Sequence, residues 1–161
     1  MKCNVKYEDD KMMVQSDYNK QFVDFAHNMH GKWQNNSWVF DKELADDVEK
    51  ALKDIFGYGD ETVNILIKIK ANGEIMEGLD YNHGTILLKG VQICRRAGRD
   101  WAVKMAESAY LVSGDFGKSG GSVKNPTCIG YGSTDDITIK FLGFPKSKFE
   151  AIEDKTNIEV I

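Results

Sequence analysis

The chain is 161 residues long, 42% hydrophobic and 29% charged, with a formal net charge of −4. That make-up excludes an intrinsically disordered chain and allows a buried core without disulfides or structural metal. No apolar run nears the roughly 18 to 20 residues that span a bilayer, and the opening MKCNVKYEDD turns acidic at once, so a cytoplasmic protein with no signal peptide and no membrane partner is expected.

Charge is divided unevenly. Residues 1–60 hold 8 lysines and no arginine against 12 acidic residues, whereas all three arginines, Arg95, Arg96 and Arg99, fall close together in the second half. An acidic first half disfavours general duplex binding, which draws on counterion release by Lys and Arg, and suits a protein-binding face. Cys3, Cys94 and Cys128 are odd in number, widely spaced and without a CxxC pair. Half-buried reduced thiols are therefore expected, not a disulfide framework or a zinc knuckle.

In chain order, residues 2–7 and 12–15 form the arms of a hairpin around Glu8, Asp9, Asp10 and Lys11. Ser16 or Asp17 caps a helix whose apolar face is Tyr18, Phe22, Phe25, Ala26 and Met29, and Gly31 ends it. In Lys32-Trp33-Gln34-Asn35-Asn36-Ser37-Trp38 the Asn pair suits a two-residue type I′ turn, because Asn tolerates positive φ. That register sets Gln34 opposite Ser37 and Trp33 opposite Trp38, with both indoles on one face. Asp41 caps a second helix that turns Leu44, Val48, Ala51, Leu52 and Ile55 inward and Asp46, Asp47, Glu49, Lys50 and Lys53 outward. Gly57 to Asp60 closes the unit.

Beyond it the pattern changes to strands. Val63, Ile65, Ile67 and Ile69 alternate, Asn72-Gly73 signals a hairpin, and further strands are expected at 85–88, 91–95, 102–105, 109–112, 137–142 and 158–161. Six glycines between Gly114 and Gly132 mark a glycine-rich loop over 113–132. Pro145 with Ser147 and Glu150, spaced as a capping box, opens a short helix. The expected fold is α+β: an N-terminal ββαββα-like unit over 1–58, and over 59–161 a mostly antiparallel sheet domain carrying one short helix.

Within residues 12–56 the order is strand, helix, tight hairpin, helix, with Tyr18, an apolar helix face, Gly31-Lys32-Trp33, Trp38-Val39-Phe40 and an apolar second helix. This block resembles the HARP domain of annealing helicases and related small modules of phage and plasmid proteins. The resemblance implies engagement of branched or partly single-stranded DNA through the hairpin, with Lys32, Trp33, Gln34, Asn35, Asn36 and Trp38 as contacts. From the residues alone, Trp33 and Trp38 are either core aromatics or base-stacking platforms, and the second role needs an exposed indole face. Further on, AGRD and GGSVKNP are similar to uncharacterised phage or prophage proteins, a likeness that transfers no activity.

Arg95, Arg96 and Arg99, beside Asp100, form the densest polar cluster, and a glycine-rich loop can bring backbone amides with Lys118 or Lys124 to the same phosphate or carboxylate. The bland alternative is an internal Asp100–arginine pair and a merely flexible loop. Gly117-Lys118-Ser119 is not a P-loop, since Val112 stands where the first glycine is needed and Gly120, Gly121 and Pro126 oppose a following helix. His27 and His30 share a helix face but lack a third ligand, and no nucleophile elbow accompanies His83. No enzyme, metal or cofactor is expected.

The resulting expectation is a small non-enzymatic binding protein whose partner is a protein or nucleoprotein complex that processes nucleic acid. Its acidic face is Asp41, Glu43, Asp46, Asp47 and Glu49, mimicking phosphates toward a basic groove or simply solvating a helix. The phage likeness would make that partner a host complex and the use an inhibition of host defence, in the manner of an anti-CRISPR protein. Two rivals stand beside it: direct binding of single-stranded or branched nucleic acid, and a small-anion or nucleotide pocket at the glycine-rich loop. A homo-oligomer paired through the last strand is also open.

Overall fold

The computed structural model describes residues 3–71, 76–133 and 136–161. The fold is α+β and dominated by antiparallel sheet. The chain divides into two compact units, Met1–Asp60 and Glu61–Ile161.

The first unit runs β1 (Cys3–Glu8), β2 (Lys11–Ser16), α1 (Lys20–Asn28), β3 (Lys32–Gln34), β4 (Ser37–Asp41), a 3-10 turn (Lys42–Leu44) and α2 (Ala45–Phe56). Its strands pair antiparallel in the order β1-β2-β4-β3. Strand alternation turns Met12, Val14, Trp38 and Phe40 to one face, where Phe22 and Ala26 of α1 and Val48, Leu52, Ile55 and Phe56 of α2 cover them. The opposite face of the sheet is mixed, one row across it running Lys6, Met13, Val39 and Lys32.

Both ends of α1 differ from expectation. Asn19, not Ser16 or Asp17, is the cap, its side-chain oxygen accepting from the Phe22 N–H at 3.1 Å. Because β2 extends to Ser16, the helix starts late and Tyr18 lies outside it, half exposed. At the other end a Schellman motif places His30 in the left-handed region (φ 56°), with the Gly31 N–H donating to the Ala26 carbonyl at 2.8 Å. Gly31 serves packing instead: a Cβ there would sit 2.6 Å from Phe40 Cε1.

The second unit holds β5 (Thr62–Ile69), β6 (Leu79–Asn82), β7 (Thr85–Leu88), β8 (Val91–Arg95), β9 (Lys104–Met105), β10 (Ala109–Ser113), β11 (Ser119–Gly121), β12 (Pro126–Tyr131), β13 (Ile137–Pro145), α3 (Lys146–Glu150) and β14 (Ile158–Val160). Two four-stranded sheets, β10-β13-β5-β14 and β6-β7-β8-β9, accompany the β11-β12 hairpin. Ile65, Ile67 and Ile69 of β5 pair in register with Phe141, Ile139 and Ile137 of β13, all buried. The last strand pairs within the chain, Ile158 opposite Ile67.

Several expectations are corrected here. The glycine-rich segment 113–132 is not one loop, since it carries β11 and β12 paired antiparallel. Residues 102–105 supply only a two-residue strand, with Trp101 and Ala102 exposed. The Ser147–Glu150 capping box is absent, because α3 begins at Lys146 behind Pro145 with no side-chain cap. The Asn72-Gly73 hairpin lies outside the described residues. No described helix is long and apolar enough to cross a membrane.

Candidate functional site

The Trp hairpin forms as the sequence requires. Asn35 (φ 48°) and Asn36 (φ 59°) make its turn, and Trp33 pairs with Trp38 as Gln34 does with Ser37. The indoles meet edge to face, 5.5 Å between centroids, and His27 adds a third ring 5.1 Å from Trp38. Their fates differ: Trp38 is buried in the core, whereas Trp33 on the edge strand β3 is 54% exposed. Lys32, Gln34, Asn35 and Asn36 are all exposed beside it. Trp33 therefore meets Trp38 on one side and presents the rest of its indole to solvent at the edge of the hairpin.

The arginine run and the glycine-rich segment do come together, but with reversed polarity. Arg96 is fully buried, and its guanidinium donates to five main-chain carbonyls: Trp101 (2.6 Å), Lys118 (3.1 Å), Phe116 (3.0 Å), Gly117 (2.7 Å) and Cys128 (3.0 Å). An anion site needs amides aimed at the ligand. Here the carbonyls point inward to the cation, and the amides are used elsewhere: Gly117 N–H by Asp115 Oδ1 at 2.6 Å, Gly120 N–H by the Arg99 carbonyl, Gly130 N–H by the Phe116 carbonyl. Arg99 forks onto Asp100 at 2.8 to 3.0 Å and holds that carboxyl below its ordinary range. Arg95 is part-buried at the end of β8, Lys118 is exposed, and Lys124 stands on the exposed Ser122–Asn125 turn. Arg96 and Arg99 are thus engaged within the chain and not held open for an anion. Glycine is required in the hairpin for close contact, since a Cβ at Gly130 would lie 1.8 Å from the Ser119 carbonyl oxygen.

The acidic residues give the first unit a polarised end. A hydrogen bond from the Lys42 N–H to the Asp10 carbonyl, 2.8 Å, ties the β1–β2 turn to the start of the 3-10 turn. Asp9, Asp10, Asp41, Lys42 and Glu43 consequently line one shallow cleft. Asp41 pairs with Lys11 at 2.5 Å, which lowers its pKa, whereas Glu43, Asp46, Asp47 and Glu49 remain exposed. Glu49 accepts from the Tyr7 hydroxyl at 2.5 Å and, as the largest cause, pushes that phenol up to about 12. Asp47 lies apart, on the α1 side of α2 with Gln21, Phe25 and Met29. Asp9 and Asp10 were missed as members of this face; the acidic run Glu8-Asp9-Asp10 is the signal that could have found them.

Among the described residues no three His, Cys, Asp or Glu side chains converge as metal ligands. His27 meets Trp38 edge to face, and His30 is the left-handed residue that follows the last turn of α1. Compared with models of known families, with curated proteins and with solved structures, the chain matches none.

Proposed function

We propose that this chain is a small non-enzymatic binding protein whose acidic end, Asp9, Asp10, Glu43, Asp46 and Glu49, occupies a basic surface on a nucleic-acid-processing or nucleoprotein complex. The observation that carries the reading is the distribution of charge. Carboxylates from the β1–β2 turn and the 3-10 turn line one exposed cleft, with Asp46 and Glu49 exposed on the helix that follows, while Arg96 is spent on carbonyls and Arg99 on Asp100. Complementary potentials of this kind steer encounter and fix register, and their effect falls with salt. On this reading the target is a host complex and the use is inhibition of host defence.

The test compares wild type with the variant Asp9→Asn, Asp10→Asn, Glu43→Gln, Asp46→Asn in affinity capture from host lysate at two salt concentrations. The reading expects a basic partner recovered by wild type at low salt and lost with the variant. Equal recovery by both proteins would contradict it.

A second reading is favoured by one observation, the exposed Trp33 face beside Lys32, Gln34 and Asn35. Base stacking on such a platform is worth about 1–3 kcal/mol per base. Under that reading Trp33→Ala weakens binding of forked or single-stranded DNA about 5- to 160-fold, measured by anisotropy. No binding of any nucleic acid by wild type would remove it.

A further inference from the structure

Cys94 and Cys128 are neither half-buried nor apart. Cys94 on β8 and Cys128 on β12 are fully buried, 34 positions apart in sequence, with their sulfurs 3.8 Å from one another. Cys128 Sγ also donates to the Gly84 carbonyl at 2.9 Å. Two residues beyond Cys94, the Arg96 guanidinium bonds the Cys128 carbonyl, so the strands carrying the thiols are already held together by a contact that does not involve sulfur. Bringing the sulfurs from this separation to the roughly 2.05 Å of a disulfide asks for side-chain rotation and a small approach of the strands.

We propose that Cys94 and Cys128 form an oxidative modification site, at which a peroxide converts the two thiols into a disulfide that fastens the β11–β12 hairpin to the sheet beneath it. Cys128 reacts first. The Cys94 S–H first, and then the buried guanidinium, favour its thiolate, whereas Cys94, the donor, is held well above the ordinary thiol range. The Cys128 thiolate attacks one peroxide oxygen, breaking the O–O bond to give a sulfenic acid and hydroxide, which takes up a proton as water. Cys94 sulfur then attacks Cys128 sulfur, the S–OH bond breaks, a second water leaves with the Cys94 proton, and the S–S bond forms. The thiols lose two electrons and two protons in all, and the peroxide is reduced to two waters. Dithiol reductants reverse the link by exchange.

Cys3, in the other unit, is an internal control. Burial and Asp17 push its thiol up to about 11, which disfavours its own oxidation. The full chain, reduced and then exposed to hydrogen peroxide, is denatured, alkylated with N-ethylmaleimide and weighed. The proposal expects one adduct after oxidation against three before it, as the chain has three free cysteines, with a cross-linked peptide joining Cys94 to Cys128. In parallel, the thermal midpoint of the second unit rises by on the order of 5 °C on oxidation and returns with dithiothreitol. Cys94→Ser and Cys128→Ser each abolish that rise while Cys3→Ser keeps it. Three adducts after oxidation, a link through Cys3, sulfinic acid without cross-link, or a cross-link that leaves the midpoint unchanged would each overturn the proposal.

Discussion

His30 sits in the left-handed region at the C-terminal end of α1, where an L side chain costs about 1–2 kcal/mol and glycine costs little. His30→Gly is therefore expected to stabilise the first unit by about 0.5–1 kcal/mol, after the larger chain entropy of unfolded glycine is counted. A urea midpoint that rises with unchanged slope checks it; a fall would mean that the imidazole makes contacts worth more than the strain. The neighbouring residue behaves oppositely. Gly31→Ala drives a methyl against the buried Phe40 ring and should cost about 1–3 kcal/mol by the same measurement. Tyr7 gives a pH test. Its hydrogen bond to Glu49 favours the neutral phenol in the folded state, so that contribution is present below pH 10 and is lost as pH rises through about 12. Ultraviolet titration of wild type against Tyr7→Phe should show that the phenol removed is a late one, and Glu49→Gln should return it toward 10; a Tyr7 phenol titrating at 10 in wild type would deny the contact.

At the scale of elements, the arginine staple holds the glycine-rich hairpin. Lysine keeps the charge of Arg96 but carries three donors on one nitrogen, too few and too compact to reach five carbonyls. Arg96→Lys should therefore destabilise the second unit by about 3 kcal/mol, the carbonyls being left without donors. Trp101, the one tryptophan of that unit, reports its unfolding, and unchanged stability would show that the staple is dispensable. The elements themselves were largely readable. The Trp hairpin followed from Asn-Asn between aromatic arms, and β7 and β8 from short apolar runs with β-branched residues. What periodicity could not give was the fate of groups decided by distant neighbours. LDYN of β6 carries too many polar residues to announce a strand, and it forms one because β7 pairs along its whole length. The glycines over 113–132 signalled flexibility, yet their cause is close backbone contact, visible only once β11 lies on β12. Arg96 was indistinguishable from its neighbours Arg95 and Arg99 because burial is not written in the local pattern.

For the whole molecule, the acidic first half was legible from composition alone, but its geometry was not. The contact between the β1–β2 turn and the start of the 3-10 turn adds Asp9 and Asp10 to the face and separates Asp47 from it. The central claim is that this end, and not the arginines or the Trp hairpin, meets the partner. It is tested most directly by capturing that partner from host lysate with wild type and with the Asp9→Asn, Asp10→Asn, Glu43→Gln, Asp46→Asn variant, after circular dichroism has shown both to be folded. The account predicts that recovery falls about tenfold or more with the neutralised protein, and that wild-type recovery falls as salt rises, because screening weakens the attraction between the carboxylates and the basic surface. Recovery that is indifferent to the four substitutions would contradict it.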